Sequence, residues 1–126
     1  MAWLKRNNST KVQGAHYEQV AKHFLLSHSL TYVTCNFSCK MGEIDLIMQD
    51  NDTLVFVEVK YRRHRQYGAA EEMVNYAKQK RLMKTAFYWL KKHNYAIDNT
   101  SFRFDVIAIH EQGNDINWIK NAIVEG

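Results

Sequence analysis

The chain of 126 residues has only five glycines and two cysteines, and nowhere a run of about 18 apolar residues. Each shortage removes a class of function. Without the apolar run no transmembrane helix is expected. The opening Met1-Ala2-Trp3-Leu4-Lys5-Arg6-Asn7-Asn8 lacks the apolar stretch of a secretory signal, so the reading is a cytoplasmic protein with no membrane partner. None of the glycines stands in G-x4-G-K, which disfavours a nucleotide-driven motor. Cys35 and Cys39 do not form a C-x2-C pair and lack two further ligands for structural zinc, so they read as free thiols. His16 and His23 would lie about 10.5 Å apart along a helix axis, too far to share one ion. No repeat, low-complexity tract or linker interrupts the sequence, and 46% hydrophobic residues suffice for one core, so residues 1–126 read as a single domain.

What is present concentrates in two short runs, Glu43-Ile44-Asp45-Leu46-Ile47-Met48 and Leu54-Val55-Phe56-Val57-Glu58-Val59-Lys60, separated by Gln49-Asp50-Asn51-Asp52-Thr53. Apolar strands around a turn-forming stretch predict a hairpin. With Asn51 and Asp52 as the central turn residues, pairing runs outward as 50 with 53 and 49 with 54, and reaches 45 with 58 and 43 with 60. Asp45 then faces Glu58, and Glu43 faces Lys60. Like charges directly opposite each other are destabilising, so two facing carboxylates call for a cation. Lys60 pairs with Glu43 in this register, which leaves Asp45 and Glu58 to a divalent metal; magnesium is commonly held by one or two carboxylates together with substrate phosphates.

The first helix carries Tyr17, Val20, Ala21, Phe24 and Leu25 at helical spacing, with Glu18 on the edge of that face. Glu18 also stands four residues before Lys22, the spacing of an ordinary surface ion pair. A first strand is expected from Thr31 to Phe37 and a second helix from an Asn75 cap to about His93, with Leu82, Met83, Ala86, Phe87, Trp89 and Leu90 inward. A last strand from Ser101 to His110 puts Phe102, Phe104, Val106 and Ala108 on one face, and Arg103, Asp105, Ile107 and Ile109 on the other. There Asp105 is expected to pair with Arg103. Residues 116–123 read equally as strand or short helix. The expected class is α/β, an α+β mixed sheet flanked by helices in the order helix, three strands, helix, strand.

These residues resemble the PD-(D/E)xK nuclease superfamily, and within it the YraN-like proteins, a group similar to archaeal Holliday-junction resolvases. The resemblance is carried by Gly14-x3-Glu18-x2-Ala21, Asn36-Phe37, Gly42-Glu43-Ile44-Asp45-Leu46-Ile47, Val55-Phe56-Val57-Glu58-Val59-Lys60-Tyr61-Arg62, Lys78-Gln79-Lys80-Arg81-Leu82 and Arg103-Phe104-Asp105-Val106, nearly the whole chain. Isoleucine, not proline, precedes Asp45. The resemblance implies a restriction-endonuclease-like core and a metal-dependent endonuclease, with Mg²⁺ or Mn²⁺ held by Asp45, Glu58, the Val59 carbonyl and Glu18. Lys60 would position the attacking water or stabilise the transition state, and Gln79 would contact water or phosphate. Resolvase-like nucleases cut two strands as dimers, so the resemblance also admits a homodimer. A catalytically silent nucleic-acid-binding module with the same fold is the competing class; a missing acid or lysine would favour it, and here all are present.

The net charge of +4 decides little, but its placement is informative. Lys60-Tyr61-Arg62-Arg63-His64-Arg65 leaves the second strand of the hairpin, and Lys78, Lys80, Arg81 and Lys84 fill the first turns of the second helix. Positive charge at a helix amino terminus opposes the helix dipole. Contact with nucleic-acid phosphates, DNA in the first instance, accounts for Arg62, Arg63, Arg65, Lys78, Lys80 and Arg81 better than helix stability does.

Overall fold

A computed structural model describes residues 7–62, 75–110 and 113–123. Helix α1 (Asn7–Ser27) leads into strands β1 (Thr31–Cys39), β2 (Gly42–Asp50) and β3 (Thr53–Arg62); helix α2 (Tyr76–Lys92), a short 3₁₀ turn (Ile97–Asn99), β4 (Phe102–His110) and β5 (Asp115–Ile119) follow. The strands form one sheet in the order β1-β2-β3-β4-β5, antiparallel except for the parallel β3–β4 pair. This is a mixed α/β fold, a five-stranded mixed sheet with a helix on each face, compatible with a restriction-endonuclease-like core. Strand β1 runs two residues beyond the expected end, and the ambiguous tail supplies an edge strand, β5. Among the described residues no helix is long and apolar enough to cross a membrane.

The strand alternation sorts side chains into two cores. Leu54 and Phe56 of β3 pack with Ile44, Ile47, Leu82, Ala86, Trp89, Leu90 and Phe104 beneath α2. Val55 and Val57 pack with Leu46, Met48, Ile107, Ile109 and the Tyr17, Ala21 and Leu25 stripe of α1. The central strand β3 is buried on both faces from Leu54 to Glu58, as expected of a strand covered by helices on either side.

Both helices end without glycine. Leu30 N donates to Leu25 O and Ser29 N to Leu26 O, while Tyr95 N donates to Leu90 O and Asn94 N to Lys91 O, the paired bonds of a Schellman ending. Ser29 (φ 73°) and Asn94 (φ 65°) take the left-handed position. At its other end α2 is capped as expected, with Asn75 Oδ1 accepting from Lys78 N at 2.9 Å.

Asp105 is a structural clasp. Its buried carboxylate accepts from Arg103 Nε at 3.0 and 3.2 Å, Trp118 Nε1 at 2.9 Å and the Asn121 N–H at 2.8 Å. Arg103 reaches on to Asp50 at 3.1 Å. The expected Arg103–Asp105 pair is therefore present, and it locks β5 and the turn after it to β4. Asp105→Ala strands these donors and should cost about 3–5 kcal/mol of stability; urea unfolding measures it, and a loss below about 1 kcal/mol would refute the clasp.

Candidate functional site

The hairpin forms in the expected register, with Asp50 opposite Thr53, Gln49 opposite Leu54, Met48 opposite Val55 and Leu46 opposite Val57. Asn51 takes φ 54° in the turn. The ladder stops at Leu46–Val57, one step short of Asp45, so Asp45 and Glu58 are not the regular cross-strand pair that the register predicts. Ile44 packs under α2 although Leu46, two residues on, packs under α1; the alternation of β2 resets at Asp45. The neighbouring strand β1 does the same, with Cys35 on the α1 side and Phe37 on the α2 side and Asn36 between them at φ 54°. Asp45 thus sits at an inflexion and sends its carboxylate toward β3, where Oδ2 accepts the Val59 N–H at 2.9 Å. A side chain takes a donor that would otherwise join the ladder. The Val59 carbonyl lies on the same side of its strand as that N–H, and so faces the same opening.

The carboxylates meet by this irregular route. The Asp45 carboxyl lies against Glu58, whose charge and side-chain hydrogen bonding both act to raise it. Burial, then the Glu58 charge, pushes the Asp45 carboxyl up to about 8, against the lowering effect of the Val59 N–H and with a further upward push from Glu18. Burial also raises the Glu18 carboxyl; a hydrogen bond from the Asn36 side chain opposes this, and the Glu43 and Glu58 charges add to it. Lys22 lies over the Tyr32 ring, 3.9 Å from its centroid, and does not form the surface pair with Glu18 that the spacing allowed.

Two clefts open beside this centre. One, of about 380 Å³, is lined by Gly42, Glu43, Asp45, Glu58, Val59, Lys78, Arg81 and Leu82. The other, of about 320 Å³, lies under α1, where Gly14, Tyr17, Glu18 and Tyr61 meet Asp45 and Val59. Asp45 and Val59 are walls of both.

Of the predicted residues, Asp45, Glu58 and Val59 come together, and Glu18 faces them from α1. Lys78 Nζ pairs directly with Glu58 Oε2, a contact that sequence reasoning missed because it placed Lys78 only among phosphate ligands. Lys60 lies two residues beyond Glu58 on β3, half-buried and opposite Ala108 of β4. Neither Lys60 nor Gln79 lines either cleft; from α2 it is Lys78 and Arg81 that do. Lys80 lies over the Tyr76 ring at 4.8 Å, and Arg62 is exposed at the end of β3. Arg63 and Arg65 lie outside the described residues. Gly42 permits the close seating of α2: at φ 151°, a β-carbon there would meet Thr85 Oγ1 at 3.1 Å and Arg81 Cβ at 3.7 Å.

Helix α2 carries Lys78, Lys80, Arg81, Lys84, Lys91 and Lys92 and no acidic residue. Tyr76, Lys80, Lys84, Tyr88 and Lys92 recur every four residues and are all exposed, a ridge of cations and aromatic rings that winds around the solvent side of the helix by about 40° per step.

The Asp45 and Glu58 carboxylates and the Val59 carbonyl, all on the lining of one cleft, are oxygen donors, the ligand type that hard divalent cations take together with water. Among the described residues no three His, Cys, Asp or Glu side chains form a group that could hold a metal; the set here is two carboxylates and a carbonyl, with Glu18 beyond.

A family model described as Uncharacterised protein family UPF0102 matches residues 17–109. A UPF0102 protein of Aliivibrio salmonicida is 54% identical over 123 residues, 98% of this chain and 100% of that protein. A UPF0102 protein of Vibrio vulnificus is 53% identical over 118 residues, 94% of this chain and 97% of its own length. One from Vibrio cholerae is 50% identical with the same coverage.

Proposed function

Because the chain belongs to the uncharacterised protein family UPF0102, whose name carries no activity, we propose its function from the site: a metal-dependent nuclease of the PD-(D/E)xK superfamily that hydrolyses phosphodiester bonds in nucleic acid, DNA in the first instance and branched DNA among its forms. One observation carries this reading. Asp45 and Glu58 together line a cleft whose other wall is Lys78 and Arg81, so a site for a cation would adjoin a site for phosphate.

Asp45 and Glu58 would hold Mg²⁺ or Mn²⁺ with the Val59 carbonyl, and Glu18 would act through water or on a second ion. A cation bound there lowers the pKa of its water and offsets charge building on the phosphoryl oxygens. Lys78 and Arg81 neutralise the phosphates that enter the cleft from the α2 side. Lys60, on the Glu58 face of β3, positions the attacking water, with Gln79 in support from α2. The competing reading, a binding module without turnover, draws on the Lys78–Glu58 pair, which already gives Glu58 a positive partner.

Incubation with branched, nicked and single-stranded DNA, with Mg²⁺ or Mn²⁺, separates the two. Cleavage is expected with wild type. Glu58→Gln should lose more than the roughly 10–100-fold that removal of an outer-shell partner costs. Salt-sensitive binding without cleavage of any substrate would favour the binding module, and full activity in Glu58→Gln would overturn the assigned site.

A further inference from the structure

Gly14 occupies the interior of α1, where glycine is the poorest helix former after proline, yet nothing among the described residues asks for it. Its backbone is not in the left-handed region, and a β-carbon built on it would meet no atom within 4 Å. Among the described residues no neighbour needs the missing side chain, and the cleft under α1 opens beside it. Gly14 and Gln13 form one wall of that cleft and Tyr17 and Tyr61 another, around Asp45 and Val59. The two tyrosine rings stack at 3.9 Å with 13° between their planes; Tyr17 is only 6% exposed, whereas Tyr61 is half-open. A fixed aromatic wall with one accessible ring offers a nucleobase a stacking surface.

The two clefts differ in charge. That under α2 has Lys78 and Arg81; among the described residues that line the one under α1 none is cationic, and its acids are Glu18 and Asp45. Phosphate is thus favoured on the α2 side and an uncharged group on the α1 side. Because both clefts share Asp45 and Val59, a chain with its scissile phosphate at Asp45 enters both at once. We propose that the cleft beneath α1 is a nucleoside subsite, taking the base and sugar on one side of the scissile phosphate while Lys78 and Arg81 hold the phosphates on the other, and that Gly14 is glycine so that the sugar can approach the helix backbone. The inference rests on the nuclease reading for its orientation, and on the cleft itself for its ligand class.

The test uses Gly14→Leu and Gly14→Ala in the full chain. Thermal unfolding shows whether they fold; both should melt at or above the wild-type temperature, since both residues are better helix formers than glycine. Binding is read in Ca²⁺ with a fluorescent single-stranded 12-mer, and with versions in which one abasic nucleotide is scanned along the oligomer. Gly14→Leu should lose at least tenfold in affinity and in Mg²⁺-dependent cleavage, and Gly14→Ala a few-fold. An abasic nucleotide at one position should weaken wild-type binding several-fold and leave Gly14→Leu unchanged. A folded Gly14→Leu that binds and cleaves as wild type overturns the subsite and leaves the nuclease proposal standing. If wild type cleaves nothing, that proposal falls and binding alone decides: reduced affinity of Gly14→Leu supports the subsite, while equal affinity, no binding by wild type, or indifference to every abasic position overturns it.

Discussion

Asp45→Asn should raise the melting temperature of the metal-free protein at pH 8 while abolishing cleavage. The carboxyl sits near 8 in the folded state against 3.8 for the free side chain, so between those values the folded protein holds a proton that the unfolded chain has released. Stability on this account is fully present below about pH 4 and is lost as the pH rises toward about 8. Asparagine removes the charge and keeps the observed hydrogen bond, its side-chain oxygen accepting the Val59 N–H as Asp45 Oδ2 does, and its amide can donate toward Glu58. Wild type and variant should therefore melt alike at or below about pH 4 and separate progressively above it, by several degrees by pH 8 to 9, with the variant higher. The raised carboxyl of Glu18 contributes in the same direction to both proteins, so the difference between them isolates Asp45. Thermal unfolding in EDTA across this range is the measurement. A gap that fails to widen with pH would show that the Asp45 carboxylate is not buried against Glu58.

Metal should act in the opposite sense. A cation bound only to the folded protein stabilises it by about 2.7 kcal/mol at a concentration 100 times its Kd, and ionised Asp45 and Glu58 bind it best. Mg²⁺ or Mn²⁺ should thus recover at high pH the stability lost there by wild type, and do so weakly in Asp45→Asn. A site that destabilises its own fold until a ligand arrives is a common price of function.

The hairpin is legible in the sequence because its turn and its apolar strands agree on one register, and the observed ladder keeps that register from Asp50 to Leu46. What lies beyond Leu46 is not. The alternation of two resets where Asn36 adopts φ 54° opposite the Asp45 bend, and nothing in the pattern of polar and apolar residues announces an asparagine in that conformation. The carboxylates still meet, because the bend turns Asp45 into the gap beside Val59. The stripes of α1 and α2 identify both cores, since helical spacing depends only on local geometry. Which turn of α2 faces the site depends on how closely the helix seats on Gly42, a tertiary matter, so the family resemblance names Gln79, the run of basic residues names Lys78, Lys80 and Arg81, and of these Lys78 and Arg81 line the cleft. Strand alternation pairs Asp105 with Arg103 alone; its further donors, Trp118 and Asn121, come from β5 and the turn after it, which no local pattern could bring to it.

Lys78→Ala should tighten metal binding and weaken catalysis at the same time. In the metal-free protein the Lys78 ammonium faces Glu58, whose side chain is 9% exposed, while Lys78 itself is 43% exposed. With one partner so open to solvent, the pair is worth no more than about 1 kcal/mol. A divalent cation must compete with it for the same carboxylate, so removing the ammonium should lower the metal Kd up to about fivefold and the metal-free melting temperature by a few degrees. Substrate binding should move the other way. Lys78 shares the cleft wall with Arg81, and removing one cation from the phosphate backbone reduces the salt dependence of nucleic-acid affinity by about one unit of logarithmic slope. Calorimetric titration with Mn²⁺ and oligonucleotide binding from about 50 to 200 mM salt read the two effects separately. Weaker metal binding in Lys78→Ala would mean that the ammonium supports the cation instead of competing with it. An unchanged salt slope would place the phosphates elsewhere on α2, along the Lys80, Lys84 and Lys92 ridge, and the corresponding charge reversals there would then carry the loss.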